Sequence, residues 1–267
     1  MIMSNILQPD FKKIRIELLD LVHKRGGHST SSLSCLEILG AIFQIGSVND
    51  ESNSSLDFVI SKGHAEIGVY LMLKEFGYIS DDFIKKEYRK NDFLLPGHIS
   101  NTIPGIIYSA GSLGHGLGFG VGLTYGKYLQ GIKRKTIVLI SDGECCEGST
   151  FEAINVIGCQ NLKDILIVLD HNKIASCSFT NQITNIDAFE SFCNSSGLKT
   201  EKIDGHSYGD LSKYFSNWFK TNNAPSSLLI ADTIKGKGFK HLQNSPLWHV
   251  LPIDDNAYSK SIESKEF

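Results

Sequence analysis

The chain has 267 residues, enough for one large domain with a full core or for two small ones. Hydrophobic residues at 41% and charged residues at 21% describe a soluble globular protein and exclude a disordered one, and a net charge of −3 gives no reason to expect nucleic acid or an acidic membrane as partner. The six cysteines (35, 145, 146, 159, 177 and 193) show no CxxC pair, which excludes a zinc ribbon or a redox motif, and the adjacent Cys145-Cys146 suits the reduced thiols of a cytoplasm. Met1 to Asp10 lacks the apolar core of a signal peptide, and no apolar run is long enough to span a bilayer.

From Asp10 to His23 the apolar residues Phe11, Ile14, Leu18, Leu19, Leu21 and Val22 fall close to helical spacing and predict an amphipathic helix, broken by Arg25-Gly26-Gly27-His28. Ser29 to Ser34 reads as a hydroxyl-rich turn capping a second helix that carries Leu36, Leu39, Ile42 and Phe43. His28, between two glycines and a helix start, can reach a ligand or serve only as a satisfied loop residue. Phe58-Val59-Ile60 is a short strand, and Ser61-Lys62-Gly63-His64-Ala65 turns from it into a helix through Phe76. That places His64 at a helix N-terminus, where an imidazole N–H can donate to an anion. A helix started by Ser80 and two aspartates precedes Pro96-Gly97-His98. Gly111-Ser112-Leu113-Gly114-His115-Gly116 then opens a glycine-laden helical segment. It contains no GxGxxG, and each helical glycine costs about 1 kcal/mol relative to alanine, so another helix, a second subunit or a cofactor is expected to press against it.

Ile137 to Ile140 and Ile165 to Leu169 are continuous apolar runs, as expected of parallel strands buried on both faces. The helix between them, capped by Ser149 or Thr150, brings both carboxyl ends to one sheet edge, where open α/β sheets bind ligands. Asp142 and Asn172 emerge there together. A carboxylate, an amide oxygen and a nearby backbone carbonyl suit Mg²⁺, with phosphates completing the shell. Gly143 lets a phosphate approach the backbone at a helix start. Further on, the sequence predicts a helix from Asn185 or Asp187, a strand from Leu198 to Ile203, a helix from Tyr208 to Lys220 and a last strand from Ser227 to Asp232. The alternation predicts one doubly wound α/β domain over 1–255 with a mostly parallel sheet and helices on both faces; a polar tail over 256–267 is expected to fray.

Asp142-Gly143 with Asn172 after this interval resembles the thiamine diphosphate-binding signature, although Ser141 stands where that signature usually has glycine. The strings GGHSTSSLSCLEILGAIF, DFVISKGHAEIGVYLMLKEFGYI, LPGHISNTIPGIIYSAGSLGHGLGFGVGLTYGKYL and DTIKGKGFKHLQNSPLWHVLPID are similar to four motifs of the transketolase family. The resemblance implies that His28, His98 and His249 meet the substrate, with His241 an outside candidate for the last. It implies that His64 and His249 face the cofactor diphosphate and that Gly111, Ser112 and Leu113 lie over the thiazolium ring. It also implies cofactor contacts at Gly143 and Glu144, and a metal site (Mg²⁺, or Ca²⁺ or Mn²⁺ in its place) from Asp142, Asn172 and the carbonyl of Ile174. Glu147 matches a glutamate that couples paired active sites at a subunit interface, unless it only caps the next helix. His115 stands where glutamine is common and receives no role.

The resemblance covers only the first part of a full transketolase. The glutamate that activates the cofactor in the family comes from a later pyrimidine-binding domain, and no motif here corresponds to it. The expectation is an N-terminal subunit of a split transketolase, active with a separate C-terminal subunit in an α₂β₂ assembly, moving a two-carbon ketol unit from a ketose or ketose phosphate to an aldose. Two alternatives stay open. One is a subunit of another thiamine diphosphate enzyme, of the 1-deoxyxylulose-phosphate synthase or 2-oxo acid dehydrogenase type. The other is a non-catalytic cofactor-binding chain with a regulatory role.

Overall fold

The computed structural model describes residues 8–46, 48–49, 56–88, 97–176, 178–249 and 251–267. Pro96 of the Pro-Gly-His motif and Cys177 lie outside these residues. Five parallel strands form the sheet: β1 (Leu56–Ile60), β2 (Lys135–Ser141), β3 (Ile165–His171), β6 (Lys199–Asp204) and β7 (Ser227–Asp232), in the order β1-β2-β3-β7-β6. A two-residue pair, β4 (Ile174–Ala175) with β5 (Ser178–Phe179), makes a separate antiparallel hairpin just beyond β3.

The apolar runs of β2, β3 and β7 are continuous because each of these strands feeds two cores. Ile137 and Leu139 of β2, with Leu166 and Val168 of β3, join one core. That core is filled by α1 (Phe11–Arg25), α3 (Leu36–Gln44), α4 (Glu66–Glu75) and α9 (Tyr208–Lys220). Val138 and Ile140, with Ile165, Ile167 and Leu169, point the other way, against α6 (His115–Leu129), α7 (Gly148–Cys159) and α8 (Ile186–Ser195). Alternate residues of a strand face opposite sides, so the central strands of a sheet with helices on both faces need apolar residues at nearly every position. This is the doubly wound α/β architecture that the sequence predicts. Among the described residues no helix is long and apolar enough to cross a membrane.

Helix starts follow local chemistry. Asp10 accepts from Lys13 N–H at 3.1 Å to cap α1. Ser80 caps α5 (Asp81–Glu87), and Asn185 caps α8 through Asp187 and Ala188 N–H. Three local expectations are corrected. Ser29 to Ser34 is not a turn: Ser29–Leu33 forms a short helix, α2, with buried serines whose polar atoms serve the site below. Glu147, not Ser149 or Thr150, occupies the N-cap position of α7, and its side chain makes no cap hydrogen bond. The polar tail is helical over Asp255–Glu263, not irregular. Asp254 caps α10 (Asp255–Glu263) through Ala257 N–H at 2.8 Å, and Tyr258 donates to Asp20 at 2.6 Å while stacking on His23.

The glycines of α6 divide by face. A Cβ at Gly116 or Gly120 would collide with Ser61 or with Val138, so the helix can lie on the sheet only because these side chains are missing. Gly118, Gly122 and Gly126 have nothing within 4 Å, so the expected close neighbour is present on one side only.

Candidate active site at the carboxyl edge of the sheet

All five strands run the same way, so the turns after β1, β2, β3 and β7 gather at one edge. Ser61 and Lys62 N–H both donate to Leu139 O at 2.9 and 3.1 Å, which fixes the β1 turn against β2. Thr233 N–H donates to His171 O at 3.1 Å, fixing the β7 turn against β3. The chain then returns over the edge: Gly236 N–H donates to Thr30 O at 3.2 Å, and the Thr30 hydroxyl donates to Trp248 O at 3.1 Å.

The result is a cavity of about 170 Å³ lined by His28, His64, His98 and His249 together with Gly111, Leu113, Gly143 and Ile174. The His28 ring lies 6.1, 5.6 and 5.7 Å from the rings of His64, His98 and His249, and His64 lies 5.7 Å from His249. Four imidazoles from four distant segments therefore converge on one space. A larger cleft, of about 880 Å³, opens beyond His171 at the ends of β3, β7 and β6. None of the predicted site residues lines it, so the chemistry points to the smaller cavity.

Asp142 and Asn172 sit just behind the cavity wall, both buried. The Asp142 carboxylate accepts from His171 Nδ1 at 2.6 Å and from Lys173 N–H at 2.7 Å; Lys173 adopts φ 68° there, a left-handed turn that brings its amide round to the carboxylate. The amide oxygen of Asn172 accepts from Ile174 N–H at 3.2 Å. The chain thus leaves β2, passes through α7 and β3, and comes back to hydrogen-bond Asp142 through His171 and Lys173. Among the described residues no group of three or more His, Cys, Asp or Glu side chains could hold a metal ion. A cation at this edge would draw on one carboxylate, one amide oxygen and a backbone carbonyl, and would need oxygens from a ligand.

Other predicted positions fall outside the cavity. Ser112 is exposed, and His241 packs beside Trp248 instead. Glu144 is fully buried away from the cavity. It accepts from the Ser61 hydroxyl, from Gly114 N–H at 3.2 Å and from Ser141 N–H at 2.8 Å and its hydroxyl at 3.0 Å; burial still pushes its carboxyl up. Its place is as a tether between the ends of β1 and β2 and the start of α6. Ser141, the departure from the usual glycine, is half of a reciprocal cap with Glu144, so the substitution is built into the turn. Glu147 is half-exposed beside Gly114 and does not line the cavity.

Two buried lysines underlie the histidines. Lys62 donates to Ser31 O at 2.7 Å, to the Ser34 hydroxyl at 3.1 Å and to Asp170. Asp170 also receives the hydroxyls of Ser34, at 2.6 Å, and of Thr233, and the amide of Asn172 at 3.2 Å. Burial alone would raise the Asp170 carboxyl, but Lys62, together with the Ser34 and Thr233 hydroxyls, outweighs it and holds the carboxyl below its ordinary value. Lys235 lies 3.2 Å from His249 Nδ1. Its loop is fixed by His206, whose Nε2 accepts from Ile234 N–H at 2.9 Å, leaving Nδ1 to donate to Glu37 at 3.2 Å. Burial first, and then the Lys62 and Lys235 cations, push His64 well below the ordinary histidine range, and the same causes take His249 down to about 3. Both rings are neutral N–H bearers in a positive field, a setting that favours a bound anion.

The thiamine diphosphate-binding domain model of transketolase matches residues 8–263. The chain belongs to the transketolase family. One of the subunits of an apulose-4-phosphate transketolase from Actinobacillus succinogenes is 34% identical over 250 residues, covering 91% of this chain and 90% of its own length. The corresponding protein from Phocaeicola vulgatus is 29% identical, covering 91% and 88%. The crystal structure of Campylobacter jejuni transketolase superposes with a TM-score of 0.82 at 26% identity, over 97% of this chain but 43% of that one. This chain therefore spans nearly all of the two single-subunit relatives and less than half of the undivided enzyme.

The residues at the edge fit the family's cofactor. Asp142 and Asn172 supply hard oxygen donors, and the missing side chains of Gly111 and Gly143 leave the cavity wall low. His28 Nδ1 is a buried nitrogen with no hydrogen bond, 3.5 Å from Glu66. Lys62, Lys235, Asp170 and Glu66 do not stand out in the sequence, because a buried charge reads like a surface one until its partner is known. For the lysines a signal is present: Lys62 precedes the Gly-His pair, and Lys235 opens the Lys-Gly-x-Gly loop.

Proposed function

We propose that this chain is the N-terminal subunit of a split transketolase, working in a cytoplasm with a separate subunit that brings the pyrimidine-binding domain, in an α₂β₂ assembly. The observation that carries the reading is the end-to-end match with two relatives that are themselves single subunits of a transketolase, joined to a cavity where four histidines meet the Asp142–Asn172 edge. Asp142, Asn172 and the Ile174 carbonyl would hold Mg²⁺ and, through it, the diphosphate, while His64 donates to the phosphate oxygens. Gly111 and Leu113 would face the thiazolium ring. When bound, thiamine diphosphate supplies an acidic ring C–H whose loss creates the nucleophile for a ketose carbonyl.

This chain's own contribution is to position and to neutralise. The buried lysines offset the phosphate charge; His28, His98 and His249 hold the hydroxyls and carbonyl oxygen of the sugar, with His28 and His98 serving in proton transfer and His249 donating its N–H. Glu147, outside the cavity, belongs in this reading to a chain interface. Its coupling role there is argued by resemblance. Apulose 4-phosphate, named for both relatives, is the first donor to test.

The test is a ketol-transfer assay with this chain, its partner, and the two mixed, each with thiamine diphosphate and Mg²⁺. Transfer is expected from the mixture only. Transfer by this chain alone would refute the split-enzyme reading, and an inactive but cofactor-loaded assembly would favour a regulatory chain.

A further inference from the structure

We infer that Lys235 is a positioning residue that fixes His249 as the Nε2–H tautomer. Lys235 is almost fully buried, and its place is set before any ligand arrives. Its carbonyl accepts from Asn244 N–H at 3.1 Å, Gly236 N–H is held by Thr30, and the Lys237 carbonyl accepts from Arg15 Nε at 3.2 Å. Arg15 is itself paired with Glu37 at 2.5 Å. His249 arrives from the other side, in the turn Pro246–His249 that Thr30 straps down.

The contact between them is Nζ to Nδ1 at 3.2 Å. An ammonium has three donors and no lone pair, so Nδ1 must be the acceptor. An imidazole whose Nδ1 accepts carries its proton on Nε2, which leaves Nε2–H as the ring's polar group for the cavity that His249 lines. Protonating Nδ1 would set a second positive N–H against the ammonium. Burial opposes that protonation first, then Lys235 from its own loop, then His28, and then Lys62 from the β1 turn; the His64 ring also faces His249, at 5.7 Å. Of the carboxylates nearby, Asp170 is paired with Lys62, and Glu66 accepts from His28 backbone N–H at 3.5 Å.

His249 is therefore a fixed hydrogen-bond donor, not a base, toward whatever occupies the cavity. That this occupant is a phosphate or sugar oxygen rests on the transketolase reading; the tautomer does not.

The experiment labels the histidines of the full chain with ¹⁵N, assigns His249 by loss of its signals in His249→Gln, and reads the tautomer from the two nitrogen shifts. The wild type should show Nε2–H at neutral pH and stay neutral until the pH approaches about 3. Lys235→Met should mix the tautomers and raise the His249 titration by about one unit or more, and Lys235→Arg should restore the Nε2–H form. An Nδ1–H ring in the wild type, or a Lys235→Met variant with unchanged shifts and titration, overturns the inference. If Lys235→Met does not fold, the wild-type tautomer alone decides. A two-chain assembly that binds no thiamine diphosphate while His249 stays Nε2–H would sink the transketolase reading and leave the tautomer standing.

Discussion

At the scale of residues, the site rests on charges that a sequence reader assigns to the surface. Lys62 and Asp170 are both fully buried, and their pairing joins the turns after β1 and β3 to the serines of α2 and to Thr233. Removing one partner leaves the other buried and unpaired, which costs far more than the net value of the pair. Asp170→Asn should lower the unfolding free energy by about 3–5 kcal/mol in urea melts. The sign with pH follows from the depressed carboxyl. Its stabilisation is present above the ordinary aspartate value of 3.8 and is lost as pH falls through the lower folded value, so the variant should also lose part of the wild type's acid limb. A loss under about 1 kcal/mol would mean the pair is solvated. His28, His64, His98, Asp142 and Asn172 are legible because each stands beside glycine or just past a strand end, where sequence spacing is informative. Glu144 is harder to read: its place in the motif suggests the ligand side, and only the three-dimensional positions of Ser61 and Gly114 show that it faces inward.

Among the elements, strands and long helices are readable, and short or polar pieces are not. Two cores demand unbroken apolar runs, and those runs are visible in the sequence of β2, β3 and β7. The five residues of α2 carry no apolar stripe, and the hairpin β4–β5 has two residues a side, too few for any period. Helix α10 escapes a periodicity reading because its buried positions are small, Ala257 and Ser261, so only the Asp254 cap marks it. Helix α6 offers a sharp test of how its glycines are used. Gly120→Ala would drive a methyl into Val138 and should lower the melting temperature. Gly122→Ala meets nothing and gains helix propensity, so it should raise stability by about 1 kcal/mol. The two variants moving in the same direction would contradict the packing described for α6.

For the molecule as a whole, we propose that a divalent cation at the Asp142–Asn172 edge holds the diphosphate of a cofactor whose site is completed by a second chain. The parallel sheet makes the edge possible by sending four turns to one side, a consequence of topology that the matched strand–helix–strand pattern already implies. What sequence cannot supply is how the crossing segment 233–249 closes over that edge, since this depends on long-range contacts such as Gly236 with Thr30. The most direct measurement is equilibrium binding of thiamine diphosphate to the two-chain assembly, with Mg²⁺ and with the metal chelated, for the wild type and Asp142→Ala. Binding is expected to need both the metal and Asp142. Undiminished affinity after chelation, or in Asp142→Ala, would contradict it.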